Sequence, residues 1–267
     1  MTMHNQTLIV FHRGGGKSLD YAPNCLVTFK WAVSFGAKAV EYDVVYCKEN
    51  DEGFMVVVEP QLIKENNLNI NNLQWKDVAA LDTGNTVMGL SRVAKFNTVF
   101  ELFQGAGISQ QIHIKGGSQR TVATLVGNLR STANILVTSF DLNTLDKVHE
   151  ANRKVPIGWI VKPDNTSASE GGEDLTKLVS AHPEAFEMYN EEEIRTIILR
   201  AKQHKIDTII LCGPRVREKK IVTRIQSEGI KVGAWGVGSN VGIGKTLIAS
   251  GIDRFTIDNP EELFQNL

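Results

Sequence analysis

At 267 residues, 42% apolar and 22% charged, the chain is long enough to bury a full hydrophobic core as one large domain. Its formal net charge of −1 provides no diffuse basic field, which argues against a nucleic-acid partner and leaves any anion site to a local cluster of cations. The three cysteines, Cys25, Cys47 and Cys212, form no C-x-x-C pair, so they exclude a disulfide framework or a cysteine zinc site and read as packed thiols in a reducing compartment. The stretch Met1–Gln6 lacks the charged start and apolar run of a signal peptide, and no 18 consecutive residues are apolar, so a cytoplasmic protein without stable membrane insertion is expected.

Leu8-Ile9-Val10-Phe11 is a short apolar run closed by His12-Arg13-Gly14-Gly15-Gly16, which reads as a buried strand delivering a titratable base and a fixed cation to its C-terminal end. The glycines would let a ligand approach the backbone there. Ala22 to Phe35 carries apolar residues at helical spacing, with Pro23 near its start and Gly36 as a stop. The next strand, Ala37 to Asp43, ends with Glu41 and Asp43. Being two residues apart in an extended chain, they share a face and can converge on one cation or proton. A further apolar run, Phe54 to Val58, stops at Glu59-Pro60, and residues 61 to 95 read as loops and short helices that could cover a site. From Asn97 helix and strand alternate regularly, with strands near 111, 134, 156, 207, 231 and 254. The least legible stretch is Lys162 to Glu187, and the last helix opens with Pro260 at its first position.

With the run at 54 to 58 assigned to an excursion over about residues 44–96, eight strand-helix units remain. This predicts an α/β chain folded as a TIM (β/α)8 barrel in a single domain over residues 1–267. In that fold the site lies at the C-terminal strand ends, which here carry His12-Arg13, Glu41 and Asp43, His113 and Lys115, Ser139 to Asp141, Cys212, Trp235 and Asp258. Carboxylates and an imidazole suit a divalent cation, Arg13 and Lys115 suit phosphate oxygens, and His12 suits proton transfer.

These residues, with Asn97 to Leu102, Ala234 to Val237 and Thr256 to Pro260, occur in an order that resembles the glycerophosphodiester phosphodiesterase family over nearly the whole chain. The resemblance implies a metal-dependent hydrolase that cleaves a small glycerophosphodiester into an alcohol and glycerol 3-phosphate. Carried over, Glu41 and Asp43 fall on metal-binding carboxylates and His12 on one of two acid-base histidines. Arg13 and Lys115 fall on phosphate-binding cations and Trp235 on the aromatic wall. The departures are specific. The second histidine falls on Val58, with Glu59 beside it, a metal-bound water or His113 open as substitutes; the third metal carboxylate falls on His113, and a glutamate expected between Pro23 and Asn24 is absent. Imidazole in place of a carboxylate should weaken Mg²⁺ or Ca²⁺ and favour Mn²⁺ or Zn²⁺. Loss of one histidine implies either a slower enzyme or a barrel that binds a phosphodiester without turnover. A phospholipase acting on intact lipid is a third, weaker reading.

Two other features read as decoys. Gly238 to Thr246 resembles a phosphate-binding P-loop but has Ser239 where that spacing requires glycine, although its amides could still meet a phosphate. Cys212 has no paired histidine in its motif and reads as a buried thiol rather than a nucleophile.

Overall fold

The computed structural model describes residues 6–50, 52–83, 92–163, 179 and 182–267. Eight parallel strands close on one another: β1 (Leu8–Phe11), β2 (Ala39–Glu49), β6 (Ser109–Ile114), β7 (Ile135–Ser139), β8 (Ile157–Ile160), β9 (Thr208–Cys212), β10 (Lys231–Trp235) and β11 (Arg254–Ile257). Closure is made by β1, which pairs with the last strand through Leu8 and Arg254 to Phe11 and Ile257, and with β2 through Val10 and Ala39. This is the TIM barrel expected from the alternation of elements, and each of its strands lies where the apolar runs place it.

The excursion grows out of β2 itself. Residues 39–44 pair with β6 inside the barrel, whereas residues 44–49 continue upward and pair antiparallel with β3 (Glu52–Val57), which in turn pairs with β5 (Ala94–Lys95); β4 (Leu73–Gln74) flanks β2. Between them lie the short helices Pro60–Glu65 and Trp75–Val78. The alternation along β3 splits its side chains between two cores. Met55 and Val57 join the barrel core, while Val56 and Val58 join a satellite cluster with Val45, Cys47, Ile63, Leu73 and Val78.

The first helix runs from Leu26 to Phe35 rather than from Ala22, because residues 22–25 form an irregular turn containing Asn24 at φ +55°. Most of the stretch from Lys162 to Glu187 lies outside the described residues.

The barrel wall around β2 shows how the two faces of a strand divide the work. Val40, Tyr42 and Val44 face outward into the helices. Tyr42 stacks on Phe103 at 6.0 Å and meets the edge of Phe29 at 5.8 Å, and its buried hydroxyl donates to Gln110 Oε1 at 2.6 Å. Glu41 and Asp43 therefore face inward. Phe103 is fully buried and also contacts Phe29 at 5.3 Å. Phe103→Ala is expected to cost about 3–5 kcal/mol, the range for truncating a buried aromatic, seen as a lower urea midpoint with little change in m-value.

Candidate active site

Immediately after β1 the chain turns sharply. Arg13 has φ +52° and is followed by Gly14, Gly15 and Gly16 at φ +96°, +75° and +75°. A Cβ on Gly14 would lie 2.8 Å from Thr28 Cγ2, and one on Gly15 would lie 3.0 Å from Pro260 Cγ. The glycines thus serve the turn and the close seating of two helices against it.

The turn presents His12 and Arg13 to the barrel mouth. His12 Nδ1 lies 2.6 Å from Asp258 Oδ1 at the end of β11, and its Nε2 lies 3.8 Å from Glu41 Oε2. The Arg13 backbone N–H donates to Glu41 Oε2 at 3.1 Å, its Nη1 donates to Glu59 Oε1 at 2.5 Å, and its Nε lies 3.1 Å from Asp43 Oδ2. Asn24 ties the carboxylates together. Its Nδ2 donates to Asp43 Oδ2 at 2.9 Å and Glu59 Oε2 at 3.1 Å, while its Oδ1 accepts from the Asp43 amide at 3.0 Å. From β6 and the residue following it, His113 Nδ1 lies 3.3 Å and Lys115 Nζ 2.9 Å from Asp43 Oδ1.

The charges decide the protonation states. Burial would raise Asp43, but the Lys115 ammonium and the Arg13 guanidinium outweigh it and hold its carboxyl well below the usual range. Glu41 is shifted the other way, raised by burial and by the negative charge of Asp43. Burial, and then the neighbouring Lys115 charge, push His113 down to about 4, so it is a neutral imidazole at pH 7. Asp258 is also desolvated, yet its hydrogen bond to His12 and the nearby Lys17 ammonium hold it below the usual carboxylate range.

One ligand atom each from Glu41, Asp43 and His113 lie within 4.8 Å of one another, and Asp43 Oδ1 is buried without a hydrogen bond of good geometry. Two carboxylate oxygens and a neutral imidazole nitrogen, held this close by three strand positions, fit a small divalent cation. Next to them is a cavity of about 40 Å³ lined by His12, Arg13, Lys115, Phe140, Trp235 and Gly238. Trp235 is anchored by its indole N–H, which donates to the Val161 carbonyl at 3.0 Å, and meets Phe140 edge-on at 5.5 Å.

His12, Arg13, Glu41, Asp43, Glu59, His113, Lys115 and Trp235 meet here, whereas Val58, the position on which the resemblance places a histidine, does not. That side chain is fully buried in the satellite cluster, because the alternation of β3 turns it away from the mouth and brings Glu59 to it. Asp258 and Asn24 carry roles that the sequence did not assign. Asp258 was readable as a strand end, but its pairing with His12 depends on barrel closure, which makes the first and last strands neighbours. The P-loop-like segment is capped from within: the Asn240 side chain accepts from the Ile243 amide at the start of the helix Val241–Ser250. Burial raises the Cys212 thiol to about 12, which fits a packed residue rather than a nucleophile.

The chain belongs to the glycerophosphoryl diester phosphodiesterase family, whose profile matches residues 12–262. Among solved structures it is similar to a protein from Agrobacterium tumefaciens str. C58 assigned as a glycerophosphoryl diester phosphodiesterase (TM-score 0.74, 18% identity, 98% of this chain and 97% of that one). It is also similar to an Oleispira antarctica phosphodiesterase solved with the product sn-glycerol-3-phosphate (0.72, 16%, 97% and 96%) and to a glycerophosphodiester phosphodiesterase from Parabacteroides distasonis (0.70, 14%, 98% and 97%). At these identities the likeness is one of fold. Comparison with curated proteins gives no match. Among the described residues no helix is long and apolar enough to cross a membrane.

Because Asp258 has a depressed folded value, its stabilising contribution is present above the unfolded carboxylate value of about 3.9 and is lost as pH falls through its folded value. The melting temperature of the wild-type protein should therefore drop between pH 5 and pH 2 more steeply than that of Asp258→Asn. Parallel curves would remove the His12–Asp258 pair from the acid response.

Proposed function

We propose that this chain hydrolyses glycerophosphodiesters to an alcohol and glycerol 3-phosphate with the help of a divalent cation held by Glu41, Asp43 and His113. The observation that supports it most is the convergence of those three side chains with His12, Arg13 and Lys115 around one small cavity, in a chain of this family. When bound, such a cation would polarise a phosphoryl oxygen and offset its charge.

His12 does the proton work. With Nδ1–H held by Asp258, its Nε2 lone pair faces the mouth and can accept a proton from the attacking water and return it to the oxygen of the departing alcohol. Lys115 lies next to the cavity with 16% of its side chain exposed, and Arg13 presents its guanidinium there, so both can meet phosphoryl oxygens and stabilise the charge that builds on them. Glu59 acts on Arg13 rather than on the proton. One of its oxygens accepts from Arg13 and the other from Asn24, so both are committed to holding the guanidinium in place.

His12→Ala is expected to lower kcat by about 10²–10⁴, the usual worth of a general base, while leaving cation binding intact. Glu41→Gln should weaken the cation instead. Initial rates of glycerol 3-phosphate release from glycerophosphocholine or glycerophosphoinositol, measured across Mg²⁺, Ca²⁺, Mn²⁺ and Zn²⁺, separate the two effects. Activity highest with Mn²⁺ or Zn²⁺ would match the nitrogen ligand from His113. Folded protein that is inactive with all four metals would reject hydrolysis.

A second reading, binding without turnover, draws on Glu59 standing at the mouth where the resemblance places a histidine nearby. It expects Glu59→His to create measurable turnover. The hydrolase reading expects the same change to slow the enzyme by loosening Arg13. Initial rates on one diester distinguish them.

A further inference from the structure

Beside the small cavity, and continuous with it through His113, Lys115 and Phe140, runs a much larger groove of about 700 Å³. It follows the ends of β6, β7 and β8, reaches Arg215 beyond β9, and is walled on one side by the helix Glu191–Gln203. The small cavity has room for little more than a phosphoryl group. If the phosphodiester sits on Arg13 and Lys115, the groove is where the rest of one ester arm can extend.

Three aromatic rings border this groove, and each already carries one of the protein's own cations. Lys162 Nζ lies 5.5 Å from the centre of the Phe140 ring, Arg200 lies 5.0 Å from Trp159, and Arg215 lies 4.0 Å from Tyr189. A quaternary ammonium is recognised by open aromatic faces, and one face of each of these rings is already occupied by a cation, which disfavours choline in this groove.

The acidic groups of the groove are also engaged. Asp141 caps the helix Leu142–Ala151 through the amides of Asn143 and Thr144, Glu193 pairs with Arg215 at 2.6 Å, and Glu192 pairs with Arg195 at 3.2 Å. Among the described residues, neither Lys162 nor Arg200 forms an ion pair. A ring face positions a cation without neutralising it, and a stacked guanidinium keeps its N–H edge free for an anion. The walls add Asn143 and Thr196, which can hydrogen-bond hydroxyl groups.

We propose that this groove takes the alcohol arm of the diester, and that the alcohol it fits is a phosphorylated polyol whose anionic group is met by Lys162 and Arg200. The proposal rests on the hydrolase reading only for the position of the phosphodiester, and binding tests it separately from turnover.

The test is isothermal titration calorimetry on the full chain with a glycerophosphoinositol phosphate and with glycerophosphocholine, with initial rates on the same samples. The wild-type protein should bind the anionic diester at least about tenfold more tightly, since a charge-assisted contact is lost with choline. In the double variant Lys162→Gln/Arg200→Gln, which keeps both stems over their rings, that preference should shrink to within about threefold, and Arg200→Lys should retain part of it. Equal affinities in the wild type, or a preference unchanged by the double variant, would overturn the assignment. A binding preference with no turnover of either diester would uphold the groove and reject the hydrolase. Failure to bind either diester would reject both.

Discussion

Everything at the barrel mouth depends on holding two carboxylates, Glu41 and Asp43, side by side where almost no water reaches them; they are 3% and 1% exposed. An isolated buried ion costs several kcal/mol even after relaxation, so the surroundings must supply compensating charge. Arg13 and Lys115 do this for Asp43, and Asn24 bonds its Oδ2 and its backbone amide. Among the described residues Glu41 receives the Arg13 amide and the more distant imidazoles, and burial beside the negative Asp43 raises its pKa despite the Arg13 and Lys115 charges. This imbalance is what the proposed cation would offset.

The rest of the fold is arranged around this constraint. Tyr42, between the two carboxylates, lies on the other face of β2 and is fixed by Phe29, Phe103 and Gln110. Because a one-residue slip in a strand exchanges its faces, the aromatic packing behind the sheet sets which carboxylates face the mouth. Glu59 obeys the same rule on β3 and its extension: Met55, Val57 and Glu59 share a direction, and Val56 and Val58 take the opposite one. What arrives at the mouth is a glutamate that holds an arginine, with a neutral imidazole, His113, across from it.

Much of this was legible in the sequence, for reasons that can be named. The barrel strands are short apolar runs with clear stops, and the spacing of Glu41 and Asp43 fixes their common face. The inward direction of Glu59 was less legible, since the run Phe54 to Val58 is apolar at every position and its alternation becomes visible only when two separate cores exist to receive it. The His12–Asp258 contact spans 246 residues and follows from ring closure rather than from any local pattern. Asn24 depends on an irregular turn with positive φ, which helical periodicity masks. The cation-covered rings of the groove could not be seen either, because Lys162, Arg200 and Arg215 come from different elements than the rings they cover or from distant positions in the chain.

The central claim is that Glu41, Asp43 and His113 form one cation site next to a phosphate site. Anomalous diffraction from crystals grown with Mn²⁺ and glycerol 3-phosphate tests it most directly. The account expects a single strong manganese peak between those three side chains, with the phosphate on Arg13 and Lys115. Manganese bound elsewhere on a protein that cleaves glycerophosphodiesters, or phosphate held away from both cations, would contradict it.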